Sequence, residues 1–208
     1  MDSDFFEQMA DWGFDTSEFK ATEFKVVDLI HPDDTITQAK SPKIAYRIVE
    51  RGTSEHTIDQ GIKRQALAAG AQIHYKSKVK EADCQIIACG PKGTSAVAYG
   101  EIFHTTHPNH IAFQLNDKLA PGAYSYLIVI DGVGLICTCL WRKQKKSDRF
   151  LNETIAWYDK HYPKLDRQPI KRVGGKGDFT INKNYFQDGR YYVGCLLYTS
   201  DAADETVS

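Results

Sequence analysis

The sequence lacks the signatures that would assign a reaction at sight. It contains no G-x-G-x-x-G, no G-x-x-x-x-G-K-[ST], no G-x-S-x-G and no H-E-x-x-H. Those absences remove a self-contained dinucleotide fingerprint, a triphosphate loop, a nucleophile elbow and a zinc-protease helix. Charge of one sign is also lacking: the net charge is −1, so no global field draws nucleic acid or an anionic membrane to the protein. Long apolar runs are missing as well. The best stretch, "YLIVIDGVGLICTCLW", is broken by Asp131 and neighbouring turn signals, short of the roughly 20 consecutive apolar residues a spanning helix needs. Met1 is followed by "DSDFFEQMADW", with neither a basic nor an apolar leader region, so a cytoplasmic location is expected. The five cysteines are odd in number and lie in apolar runs, which reads as reduced thiols.

What is present is the mix of a globular protein, 42% hydrophobic and 25% charged over 208 residues. Phe5, Met9 and Trp12 recur at helical spacing, and "HPDDT" from His31 is a turn. "KIAYRIVERG" alternates through Ile44, Tyr46 and Ile48 as a strand. "TIDQ" at Thr57 is a capping box, in which the Thr hydroxyl and Gln side chain satisfy each other's backbone donors. The helix it opens carries Ile58, Ile62, Ala66 and Ala69 on one face and ends at Gly70. "AQIHY" is expected as a strand, and "CQIIACGPKG" as a strand buried on both faces that empties into a glycine-proline loop.

From about Tyr99 the period shortens to two. "HIAFQL" places Ile111, Phe113 and Leu115 on one face, and Asp131-Gly132 joins "AYSYLIVI" to "VGLICTCLW" as a hairpin. Cys137 and Cys139 then share a face without being able to bridge each other in regular geometry. A helix with Leu151, Ile155, Tyr158 and Tyr162 on one stripe stops at Pro163. "RVGGKGDFTI" and "RYYVG" read as a loop and two strands. The residues alone therefore describe an α/β protein with an inserted antiparallel sheet.

Four local constellations carry chemistry or its appearance. His104, His107 and His110 in "HTTHPNH" lie three apart, but Pro108 breaks a helix and a strand would alternate their directions, so they read as ordinary loop histidines. "GPKGTS" and "VGGKGD" fail the phosphate-loop pattern at the residue after lysine. "WRKQKKSDR" collects Arg142, Lys143, Lys145 and Lys146 beside Trp141. A solvated helix entrance is the plain reading, and peripheral contact with anionic lipid headgroups is the alternative. "ADCQIIACGPKG" is a strand ending in Gly90-Pro91, the place where ligands approach an open α/β sheet, although a ligand-free strand-exit turn has the same pattern.

Taken in order, "YRIVERG", "TIDQGIKRQALAAGAQIHY", "ADCQIIACGP", "LAPGAYSYLIV" and "GRYYVG" resemble the geranylgeranyl-reductase-like flavoproteins, over about Lys43 to Gly194. That family has the p-hydroxybenzoate hydroxylase type of FAD-binding fold. The resemblance implies a partial FAD-binding, Rossmann-like α/β domain over residues 1–99 and an antiparallel-sheet substrate domain over 100–171. It then implies a return to the FAD domain over 172–194. It further implies cofactor roles for Arg51, Ala88, Cys89, Gly90, Pro91 and Gly194. "PGAYSYLIV" resembles the substrate-cavity motif P-x-x-Y-x-W-x-F-P and so implies substrate contact by Pro121, Tyr124 and Tyr126. Tyr126, Ile128 and Val129 replace the Trp, Phe and Pro of that motif.

The implied activity is hydride transfer between non-covalent FAD and an isoprenoid-like or other hydrophobic substrate, with NAD(P)H or ferredoxin as electron donor. An aromatic monooxygenase or halogenase on the same fold is the first alternative, and a non-catalytic lipid-binding α/β module the second. No residue stands out as acid or base. The glycine-rich fingerprint that opens the family is missing before Lys43, and the "A-A-G" segment that follows "Y-V-G" in the family is replaced by "CLLYTSDAADE". Residues 195–208 resemble a translated sequencing adapter, so the chain is expected to be an internal piece of a longer enzyme.

Overall fold

The computed structural model describes residues 5–88, 93–178 and 185–193. The chain divides into two units, one comprising Met1–Asp28 and Thr37–Ser77, the other Leu29–Ile36 and Lys78–Ser208.

In the first unit, α1 (Phe5–Asp11) turns Met9 inward, whereas Trp12 falls past the helix end and is exposed. Strands β1 (Ala21–Phe24) and β4 (Tyr46–Val49) pair antiparallel, and β2 (Val26–Ile30) and β3 (Ile36–Lys40), which come between them in the chain, each straddle a boundary of the two units. The expected turn at His31 forms within Leu29–Ile36 of the second unit, closed by the His31 N–H donating to the Thr35 carbonyl. Helix α2 (Ile58–Ala68) opens at Thr57, whose hydroxyl oxygen accepts from the Gln60 N–H. The second half of the expected capping box is diverted. Gln60 Nε2 donates to the Gly52 carbonyl, because the Thr57 N–H is already taken by the Ser54 carbonyl. Gly61 lies against the Phe19 ring, and a Cβ there would come within 2.5 Å of it.

The strand expected at "AQIHY" does not form; residues 71–75 are irregular and exposed. A strand without a neighbour leaves its ladder hydrogen bonds to water, and β-propensity alone does not offset that. Tyr75 instead lies under the Lys63 ammonium, 5.1 Å from its ring centre.

The second unit holds β5 (Ile86–Ile87), β6 (Ala96–His104), β7 (His110–Gln114), β8 (Ser125–Ile130), β9 (Val133–Leu140), α3 (Ser147–His161), β10 (Gln168–Gly177), β11 (Phe186–Gln187) and β12 (Arg190–Tyr192). Strands β10, β6, β9, β8 and β7 lie side by side in that order, all antiparallel. Beyond β7 the Leu115 N–H donates to the Ile30 carbonyl. The expected hairpin joins β8 to β9, with φ of 49° at Asp131 and 80° at Gly132. Those values match the twist of the flanking strands.

One face of this sheet is the core. Phe103, Ala112, Leu127, Val129 and Ile136 meet Leu151, Ile155 and Tyr158 of α3, with Leu165 closing the end. This confirms the apolar stripe read from the helix, which runs to His161 and is followed by Pro163. Gly134 gives Phe103 its space, since a Cβ there would reach 2.2 Å from the ring. Glu101 is carried on this face and buried, a costly place for a carboxylate unless it is paired. Arg167 forms that ion pair and also bridges Asp159 at 2.8 Å, so β6, α3 and the segment entering β10 are tied together.

Two expectations about strands are corrected. The segment "RVGG" is not a loop but lies within the ten-residue edge strand β10, which pairs with β6 from Gln168–His104 to Gly177–Ala96 with a one-residue register shift between Pro169 and Lys171. Pairing with a long neighbour overrides the turn tendency of its glycines. Strand β5 is buried on one face only: Ile87 is covered and Ile86 is exposed. Its two residues pair parallel with β12, the other two members of this small sheet being β11 and β12. The boundaries expected at 99/100 and 171/172 fall inside β6 and β10.

Candidate functional site

The face of the large sheet opposite α3 is also apolar, and the register explains why. Cross-strand partners share a face, so Phe113, Tyr126, Cys137 and Gly100 form one row across β7, β8, β9 and β6. Cys139, Ala98 and Gly175 form a second row across β9, β6 and β10. Small residues in β6 and β10 thus oppose aromatic residues from β8. The result is a groove of about 630 Å³, bordered by Ala98, Gly175, Tyr124, Tyr126, Cys139 and Trp141, with Leu115 at its lip.

The aromatic wall is self-supporting. The Phe113, Tyr124 and Tyr126 rings stand 6.2–6.3 Å apart in pairs, in edge-on and tilted arrangements. The "PGAY" turn that delivers Tyr124 is fastened to the end of β9, since the Trp141 and Arg142 N–H groups both donate to the Pro121 carbonyl. Gly122, at φ 83°, donates to Asp117 Oδ1, and the same carboxylate pairs with Arg142.

The wall formed by Tyr126 and Cys139 is uncharged at ordinary pH, and Lys176 of β10 also borders the groove. Burial, reinforced by Cys137, pushes the Tyr126 phenol upward, and a hydrogen bond to Cys137 together with burial does the same to the Cys139 thiol. Both groups hold their protons, so the surface suits an apolar, uncharged ligand segment. As expected, Cys137 and Cys139 sit on one face as free thiols.

Sequence reasoning placed three residues here. Tyr124 and Tyr126 line the groove, whereas Pro121 is buried behind it and acts through its carbonyl. Trp141, Leu115 and the small residues of β6 and β10 were missed. Ala96, Ala98 and Gly100 at every second position were the readable signal, because small residues on one strand face leave room above it.

The proposed cofactor residues divide between the units. Arg51 belongs to the first, where its Nε and Nη2 each donate to Asp59 at 2.8 Å. The Arg51 guanidinium and the Gly52 N–H hold the Asp59 carboxyl down at about 2. Ala88 belongs to the second unit and is exposed at the end of β5. Cys89, Gly90, Pro91 and Gly194 lie outside the described residues. Their immediate neighbours do converge: Ile87 is the register partner of Tyr192, and the Val193 N–H donates to the Ile87 carbonyl. Two segments about 100 residues apart therefore leave the sheet side by side, at the carboxyl ends of parallel strands. The sequence has no G-x-G-x-x-G, the motif that places a pyrophosphate at a helix N-terminus.

No protein-family model and no curated protein matches the chain. Among solved structures it is similar to a geranylgeranyl bacteriochlorophyll reductase-like protein from Thermoplasma acidophilum, at 17% identity and a TM-score of 0.65 over 91% of this chain. It is also similar to FqzB, at 12% identity and a TM-score of 0.54 over 90% of this chain. The chain spans 58% and 55% of those two structures. The likeness shows the fold alone, a mixed α/β architecture with multi-stranded sheets and few helices.

Proposed function

We propose that the chain is the substrate-bearing part of an FAD-dependent oxidoreductase that passes hydride between flavin and an isoprenoid-like or other hydrophobic substrate. The observation that carries this reading is the groove walled by the uncharged side chains of Tyr124, Tyr126 and Trp141. The fold likeness supports the flavin half of the proposal. Bound flavin supplies the redox chemistry, as cofactors generally do, and the protein contributes orientation and exclusion of water. The groove binds the apolar body of the substrate, the protonated Tyr126 and Cys139 keep that surface neutral, and Ala88 and Arg51 are assigned to the cofactor side.

Trp141 provides the test, since it borders the groove. Titration with a polyisoprenoid alcohol is expected to change tryptophan emission saturably, and W141F should remove that signal. Gly175→Leu should abolish binding with the fold intact, because a Cβ at this position meets nothing within 4 Å and the added side chain fills the groove. Binding that survives this substitution would place the ligand elsewhere. The flavin half is tested separately on the longer parent protein, where a colourless preparation that takes up no FAD would overturn it.

A further inference from the structure

The turn between β9 and α3 combines features that the groove does not account for. Lys143, Lys145 and Lys146 are all exposed around Gln144. Gln144 faces inward, its Nε2 donating to the Ser95 carbonyl at 2.7 Å, so the turn is pinned while its lysines stand in solvent. Acidic groups nearby are already engaged: Asp117 with Arg142, Asp148 with Arg172, and Glu153 with Arg149. Lys118, exposed on the adjoining loop, adds to the same sign of charge. Beside this cationic turn stand the large apolar groups of the groove lip, with Trp141 55% exposed, Leu115 62% and Tyr124 42%.

An exposed tryptophan flanked by exposed lysines matches a lipid interface in two respects. Indole rings settle at the headgroup level, and each lysine near an anionic leaflet adds attraction. Reversible membrane attachment generally needs two such signals together, and both are present on this turn. Nucleic acid fits less well, since it asks for a basic stripe with base-contacting groups rather than a hydrophobic lip.

We propose that the Trp141–Lys146 turn and the groove lip formed by Leu115 and Tyr124 dock on an anionic bilayer surface. The groove then opens at the level of the lipid, and an apolar ligand can pass between membrane and protein without crossing water. This goes beyond the redox reading and does not rest on it, because docking is measured without flavin.

Flotation of the 208-residue chain with vesicles tests it. The chain is expected to float with phosphatidylcholine vesicles containing phosphatidylglycerol, to remain behind with phosphatidylcholine alone, and to be released by salt. Replacing the three lysines together (K143E/K145E/K146E) should reduce partitioning by roughly 100-fold or more. Trp141→Ala should weaken it further at unchanged charge, with both variants retaining the parent circular dichroism. No binding to the anionic vesicles at low salt would overturn the proposal. So would binding that ignores the lysine reversal, or retention of the chain by an acidic protein or nucleic acid while it fails to float.

Discussion

Arg51 and Asp59 form an ion pair within the first unit, and their chemistry yields a signed pH prediction. The Asp59 pKa is depressed from 3.8 to about 2, so its stabilising contribution is complete above the ordinary value and lost as pH falls through the lower one. Asp59→Asn should therefore melt below the parent at neutral pH, with the gap closing as pH falls through about 2. Melting curves across this range check it; a gap that stays constant would show that Asp59 is not the titrating partner. At this scale the sequence indicated Tyr124 and Tyr126 but not their opposite wall. Glycine and alanine signal nothing about binding until the register places them across from an aromatic ring.

Helix α3 is the element whose fate was most legible. Its apolar stripe has one period and one stop signal, and the sheet face it meets supplies the matching surface. Leu151 is fully buried, so Leu151→Ala should cost about 2–5 kcal/mol. That corresponds to a fall of roughly 5–15 °C in Tm for a chain of this size. Lys160→Ala, at an exposed position of the same helix, should stay within about 0.5 kcal/mol. Thermal denaturation of the pair separates packing from helix propensity. Strand β10 was illegible for the opposite reason. Three glycines in its last four residues suggest a loop, and the neighbour that makes them a strand, β6, lies about 70 residues away in sequence.

For the whole molecule, the chain covers 58% of the reductase-like structure and lacks the glycine fingerprint for a pyrophosphate. Titration of the 208-residue chain with FAD is expected to show weak binding at most. Tight, stoichiometric quenching of flavin fluorescence would contradict that and would require a phosphate site built from other groups. The division into two units puts Arg51 in the first and Ala88 in the second.

The sequence by itself determined the local periodicities: the α3 stripe, the Asp131-Gly132 hairpin, the Thr57 cap and the shift from α/β to antiparallel alternation near Tyr99. These are set by interactions within a few residues, which is why they can be read along the chain. Tertiary structure alone decided what pairs at a distance. It left "AQIHY" without a sheet, joined "GRYY" to "QIIA" in parallel, neutralised Glu101 with Arg167, and set small strands against aromatic ones to open a groove. Those outcomes depend on which segments meet, and the energy of meeting belongs to both partners rather than to either stretch of sequence.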